Sequence, residues 1–396
     1  MAKQAVYLTT YLPKVLLVGV DAPYNRTKDI STYYNEFLNL IKTNGVTYHE
    51  TYFTKLREIS TPYFFTKGKL EELKKLCDEK EIEEVIFSEA LTAQQERNLS
   101  DLLNVTVFDR TKLILEIFEK SAHTTEGKTQ VAVAMLQYKK SRLAGKGIHM
   151  SQQRGVVGLR AGFGETAKER ETRDIDTQIL KLKKKLKKIQ DVHTTQRKNR
   201  LINKIPHACL VGYTNAGKST ILNALTKSSV DAQDKLFATL DTTTRELYIE
   251  GEKKGLISDS VGFIQNLPHH LIEAFKSTLE ELKYANLLLQ VVDISNPNWE
   301  SHIRIVHEIL NSLEIEKEMI YIFNKIDKVH DPEALKEKLK KYQPYVVTHT
   351  KDKEGLQPLK TFLHSWNNKK EEPTCEKNIC SHCPHRNNAC FFNDEK

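Results

Sequence analysis

Nine consecutive residues of this 396-residue chain have the types and spacing for chemistry: Gly212-Tyr213-Thr214-Asn215-Ala216-Gly217-Lys218-Ser219-Thr220. They read G-x-x-x-x-G-K-S. An apolar run (208–211) precedes them, and a helical pattern with Ile221, Leu222, Ala224 and Leu225 follows. Strand, glycine loop and helix in that order make a phosphate-binding P-loop. Glycine lets the backbone curl until successive N–H groups point at phosphate oxygens, and the helix start adds partial positive charge. In that arrangement Lys218 reaches the β- and γ-phosphates and the Ser219 hydroxyl is an Mg²⁺ ligand.

A GTP site needs four more elements, and each has a candidate in order. The loop Phe237-Ala238-Thr239-Leu240-Asp241 offers a hydroxyl that can complete the Mg²⁺ shell when γ-phosphate is bound; losing that phosphate releases the loop, which makes a switch. Thr242, Thr243 and Thr244 compete with Thr239 for this role on local grounds. Asp259-Ser260-Val261-Gly262 ends a predicted strand over 255–258, with the carboxylate reaching Mg²⁺ through water and the Gly262 N–H meeting γ-phosphate. Asn324-Lys325-Ile326-Asp327 ends a strand over 319–323. A carboxylate at Asp327 accepts from N1–H and the 2-amino group of guanine; adenine has neither donor on that edge, so the wrong base leaves the acceptor unpaired. His349-Thr350-Lys351 is the candidate for the last base-contacting loop, where GTPases usually have Ser-Ala-Lys.

No catalytic residue can be assigned. Phe263 stands where many switch GTPases carry a water-orienting Gln. Gln265 is a candidate substitute, and Arg245, the nearest arginine, is expected to face solvent. Slow intrinsic hydrolysis, accelerated by a partner, is the expectation. Asn215 offers an amide oxygen that can join the phosphates around K⁺.

The elements that must position these residues form a doubly wound α/β sheet over 206–368, with ligand at the C-terminal ends of the strands. A smaller α/β unit precedes it over 1–110, its strands and helices alternating as in a parallel sheet. Between them, 111–205 reads as a helical hairpin. Its first arm has a polar break at His123-Thr124-Thr125-Glu126-Gly127, and its tip is a glycine-rich stretch from Gly145 to Gly164. In the second arm Ile175, Ile179, Leu182, Leu186 and Ile189 form a heptad-like seam, for which the first arm is the natural partner. The net charge is +8, but 139–204 alone holds 19 Lys/Arg against 6 Asp/Glu. Such local basicity points to a polyanionic partner, set against the plainer reading of a solvated charged face.

Residues 369–396 form a cysteine-rich tail. Cys375, Cys380, Cys383 and Cys390 lie close enough to hold tetrahedral Zn²⁺, with an iron–sulfur cluster as the alternative. Six cysteines in so long a chain do not suggest a disulfide scaffold. No stretch approaches the ~20 apolar residues of a membrane span, and the start lacks a signal-peptide pattern, so a cytoplasmic protein is expected; the expected state is a monomer.

These motifs together resemble the HflX-type GTPases of the translation-factor-related class. The resemblance rests on 212–219, 237–241 and 259–263, on Ala122-His123-Thr124-Thr125-Glu126-Gly127-Lys128, and on Gly158-Leu159-Arg160 with Gly164-Glu165-Thr166. It implies binding to the large ribosomal subunit and a role in splitting or rescuing ribosomes or in subunit maturation. It also implies that Thr239 is the switch ligand and that the glycine loop reaches ribosomal RNA. Ser260 and Thr242 depart from the family's Asp-Thr-Val-Gly and Leu-Asp-Pro, and the cysteine tail is not a family feature. Two other readings compete: a GTP-gated RNA-binding scaffold with little hydrolysis, and a G protein regulated by a metal- or redox-sensing tail.

Overall fold

A computed structural model describes residues 12–25, 29–143, 167–203, 205–226, 236–237, 239–240, 242–265, 271, 279–329, 331–352 and 354–368. The glycine-rich stretch, Ala238, Asp241 and the cysteine tail lie outside them.

The first unit is a four-stranded parallel sheet in the order β2-β1-β3-β4, from β1 (Val15–Asp21), β2 (Glu50–Lys55), β3 (Glu84–Phe87) and β4 (Thr106–Phe108). Helices α1 (Ile30–Asn44), α2 (Lys67–Lys80) and α3 (Ala93–Leu103) connect the strands. Local signals set their ends. Asp29 caps α1 by accepting from the Ser31 N–H at 3.0 Å, and Gly45, at φ 73°, terminates it. Thr92 and Gln95 form a reciprocal capping box on α3. Residues 46–49 lead from α1 into β2 without joining the sheet.

The polar break splits the first arm into α4 (Arg110–Ser121) and α5 (Thr125–Leu143), and α6 (Ala167–Ile202) returns beside α5. Ile175 and Ile179 are buried against Val133 and Leu143, with Leu136, Leu182 and Leu186 packed around them. The expected seam is therefore the helix–helix contact, burial of apolar area being its driving force.

The second unit is a six-stranded sheet in the order β10-β9-β8-β5-β7-β6. It comprises β5 (His207–Gly212), β6 (Thr243–Ile249), β7 (Glu252–Asp259), β8 (Leu287–Asp293), β9 (Met319–Asn324) and β10 (Tyr345–Val347). All pairings are parallel except β6 with β7. Every residue of β5 is buried, as a central strand covered on both faces requires. Helix α7 (Lys218–Thr226) starts at the P-loop lysine.

The two units share a core. Phe37, Ile41, Ile117 and Phe118 pack in one buried cluster with Tyr213, Leu236, Phe237, Leu240, Val261 and Ile264.

Candidate functional site

The P-loop, Thr239, the end of β7 and the end of β9 meet at the C-terminal edge of the second sheet. Gly217 has φ 98°, and a Cβ there would lie 2.3 Å from Asn324 Nδ2. Glycine is needed both for the backbone conformation and for that approach. Asn324, fully buried, donates from Nδ2 to the Ala216 carbonyl at 2.9 Å. Lys325 Nζ donates to the Asn215 carbonyl at 2.8 Å and pairs with Asp293 at 2.7 Å. The Asn-Lys pair thus braces the phosphate loop from the base-binding side.

Ser219, Thr239 and Asp259 converge. Asp259 Oδ2 accepts from Ser219 Oγ at 2.6 Å and from Thr239 Oγ1 at 2.9 Å, and the two hydroxyls are 2.7 Å apart. Thr243 and Thr244 instead lie in β6, where the Thr244 hydroxyl pairs with Ser258; Thr242 lies before that strand. Among these threonines it is the Thr239 hydroxyl that lies against Ser219 and Asp259. Asp259 Oδ1 is buried and has no hydrogen-bond partner among the described residues. Burial pushes the Asp259 carboxyl up, while Lys218 and the two hydroxyls pull it down. Three hard oxygen donors with one lone pair set unused suit a small divalent cation such as Mg²⁺.

Lys218 is buried, and its Nζ donates to the Gly212 and Tyr213 carbonyls at 3.2 and 2.9 Å. Burial lowers its pKa to about 8, with Asp259 opposing the shift. Gly262 sits against this group: a Cβ on it would lie 3.0 Å from Lys218 Nζ. Ser260 Oγ donates to the Leu210 carbonyl at 2.7 Å, tying this segment to β5.

Phe263 is 1% exposed and packs with Cys209, Val211 and Leu282, so its side chain serves the core. Its backbone pairs with the P-loop, accepting from the Thr214 N–H at 2.7 Å and donating to the Gly212 carbonyl at 3.1 Å. The Gln265 side chain reaches the first unit, where Nε2 donates to Asn25 Oδ1 at 3.2 Å. Arg245 is exposed, as expected. Asp327 is exposed within a short 3-10 turn, Ile326–Lys328. His349 packs on Gly355 and its N–H donates to the Gly355 carbonyl at 3.3 Å, while Thr350 and Lys351 extend beyond.

Sequence reasoning missed the residues that join this site to the first sheet. Arg110 is 1% exposed; its Nη2 donates to Glu36 Oε1 at 2.5 Å and to the Gln265 carbonyl at 3.2 Å. The Tyr213 hydroxyl donates to the other Glu36 oxygen and accepts from the Gln265 N–H at 2.8 Å. The Tyr213 ring stacks on His302, with centroids 3.7 Å apart, and burial drops the His302 pKa to about 4. Phe237, held at φ 57°, meets Phe118 edge-on at 4.6 Å. One signal was available: Arg110 opens a helix, where the backbone dipole disfavours a cation, so the residue must be held there by something else.

Three family profiles fit consecutive parts of the chain. Residues 31–119 fit "GTP-binding GTPase N-terminal", 121–200 "GTP-binding GTPase Middle Region" and 207–325 "50S ribosome-binding GTPase". The chain is 42% identical to GTPase HflX of Magnetococcus marinus, over 83% of its own length and 76% of the relative's. The chain belongs to the HflX family of GTPases. GTPase HflX of Lacrimispora saccharolytica is 41% identical over 89% and 82% of the two chains, and that of Escherichia coli 37% over 75% and 70%. Among solved structures, a GTP-binding protein from Sulfolobus solfataricus in complex with GDP is 24% identical, with a TM-score of 0.46 over 90% of this chain and 99% of that one. This HflX-family chain is accordingly a GTP-hydrolysing enzyme. No helix among the described residues is long and apolar enough to cross a membrane. Cys375, Cys380, Cys383 and Cys390 lie outside the described residues.

Proposed function

We propose that this HflX-family member binds the large ribosomal subunit through its basic arm under control of GTP, and acts in splitting or rescuing ribosomes or in subunit maturation. The observation that carries this reading is the burial of Leu236, Phe237, Leu240, Val261 and Ile264 against the first unit and α4, with the Gln265 backbone bonded to Arg110 and Tyr213. A change at those residues cannot stay local, because packed interfaces rearrange rather than deform. The family description "50S ribosome-binding GTPase" and the basic 139–204 segment support the choice of partner, since phosphate contacts supply most sequence-independent RNA affinity.

In this reading residues 212–220 cradle the phosphates and Lys218 neutralises them. Ser219 and Thr239 hold Mg²⁺ with Asp259 behind, an assignment that fits the unused Asp259 Oδ1. Bound there, the ion screens charge on the β- and γ-oxygens. The Gly262 N–H meets γ-phosphate, Asn324 and Lys325 brace the loop, Asp327 reads guanine, and 349–351 close over the base. Asn215 is the proposed K⁺ ligand. Because Phe263 is buried and Gln265 is engaged elsewhere, intrinsic turnover is slow and the ribosome accelerates it. The working divisions are 1–110, 111–205, 206–368 and a Zn²⁺-binding tail over 369–396, in a cytoplasmic monomer.

Co-sedimentation with separated ribosomal subunits, in GDP and in a non-hydrolysable GTP analogue, tests the proposal. Tighter binding to the large subunit with the analogue is expected; equal binding in both nucleotides refutes it.

A further inference from the structure

A cleft of about 480 Å³ opens between the start of α5, the middle of α6 and the residue that leads from the 237–241 loop into β6. Thr125 and Glu126 form one wall, Lys185, Lys188 and His193 another, and Thr242 the third. The cleft accounts for a stretch that the GTP site leaves unexplained, the polar His123-Thr124-Thr125-Glu126 break. Glu126 forms no ion pair with either lysine among the described residues. Its Oε2 lies 3.2 Å from His193 Nε2, and its Oε1 accepts from Gln130 at 3.2 Å. Lys185 and Lys188 are exposed and have no ionic partner among the described residues. Two uncommitted ammonium groups beside hydroxyls make a site for phosphate oxygens.

We infer that this cleft binds a backbone phosphate of RNA and is the place where the nucleotide state controls the grip of the basic arm. The inference rests on the ribosome-binding reading above and locates its control within α6. Thr242 stands three residues after Thr239, which is held against Ser219 and Asp259. When γ-phosphate leaves and that loop relaxes, the Thr242 wall moves and the cleft loses its shape. The lysines on the other flank of α6 do not share that wall. Lys183 and Lys187 lie roughly 160° around the helix from Lys185 at 3.6 residues per turn, and both are exposed. They attract RNA regardless of nucleotide.

The test compares Lys185→Ala/Lys188→Ala with Lys183→Ala/Lys187→Ala in the full chain, each with GDP and with a non-hydrolysable GTP analogue. Affinity for purified large ribosomal subunits is measured across a salt series. The cleft pair should lose roughly tenfold in the analogue state and little in GDP, and its salt slope in the analogue state should fall by about 1, as one phosphate contact is lost. The control pair should weaken both states equally. Equal losses in both states for both pairs would overturn the inference while leaving ribosome binding intact. An unchanged nucleotide preference in the cleft pair would overturn it in the same way. If the unmodified chain fails to bind subunits at all, the ribosome reading falls and takes the cleft with it. Inorganic phosphate is the last arm. If it abolishes the nucleotide preference as efficiently as RNA competes, the cleft is a free-phosphate site and the RNA assignment is wrong.

Discussion

Binding of GDP to the free protein at pH 8 should take up about half a proton, because the Lys218 pKa sits at about 8 before nucleotide arrives. Desolvation holds that pKa down: the ammonium is buried and finds only the Gly212 and Tyr213 carbonyls and the nearby Asp259 charge. Phosphate oxygens supply the missing negative charge, so the bound complex keeps the proton well above pH 8. Affinity should therefore fall by about tenfold from pH 7 to pH 9, approaching one decade per pH unit. Titration calorimetry in two buffers of different ionisation enthalpy measures the uptake directly. The sign is opposite for folding. The unfolded chain holds a lysine proton up to about pH 10.4, whereas the folded chain releases it near 8. This group alone makes the nucleotide-free protein gain stability as pH rises from about 8. Proton release on binding, or no uptake between pH 7.5 and 8.5, would refute the claim that the buried lysine is strained before nucleotide arrives.

Replacing Arg110 with Met should destabilise the protein by roughly 2–4 kcal/mol, because the largely but not fully buried Glu36 is then left without its cation; Arg110→Met/Glu36→Leu should recover part of the loss in urea denaturation. Asp327→Asn should weaken GTP by about 100-fold or more, two charged hydrogen bonds being lost at about 1.5–3 kcal/mol each. Xanthosine triphosphate, with an acceptor where guanine carries its amino group, should bind the variant better than GTP does, and competition assays decide it. Hydrolysis should run faster in K⁺ than in Na⁺; equal rates would remove Asn215 from the phosphate site. Elemental analysis of the anaerobically purified chain should find about one zinc per molecule, falling to none after Cys380→Ser/Cys383→Ser; a metal-free wild type would end the tail proposal.

The phosphate loop was legible because its chemistry is local: spacing alone places Gly212, Gly217, Lys218 and Ser219 on one turn. The seam of α6 was legible for the same reason, its period being written in Ile175, Ile179 and Leu182. Thr239 could not be separated from Thr242, Thr243 and Thr244 by spacing, and only the fold, by putting Thr243 and Thr244 in β6, does so. Apart from the cation at the start of α4, the junction left no mark in the sequence. Glu36 and Arg110 are 74 residues apart, and Glu36 and Tyr213 are 177 apart. Contacts at such separation leave no periodic trace. His349 departs from the usual loop residue, and its ring packs on Gly355, which holds that loop against the following turn.

The cluster that joins Phe37, Ile117 and Phe118 to Phe237, Val261 and Ile264 has a practical corollary for anyone dissecting this enzyme. A fragment cut at residue 206 would carry an oily scar where α1 and α4 had lain, and such patches stick to one another. Rates obtained from that fragment would describe a protein whose switch loops have lost their backing, however cleanly it binds nucleotide.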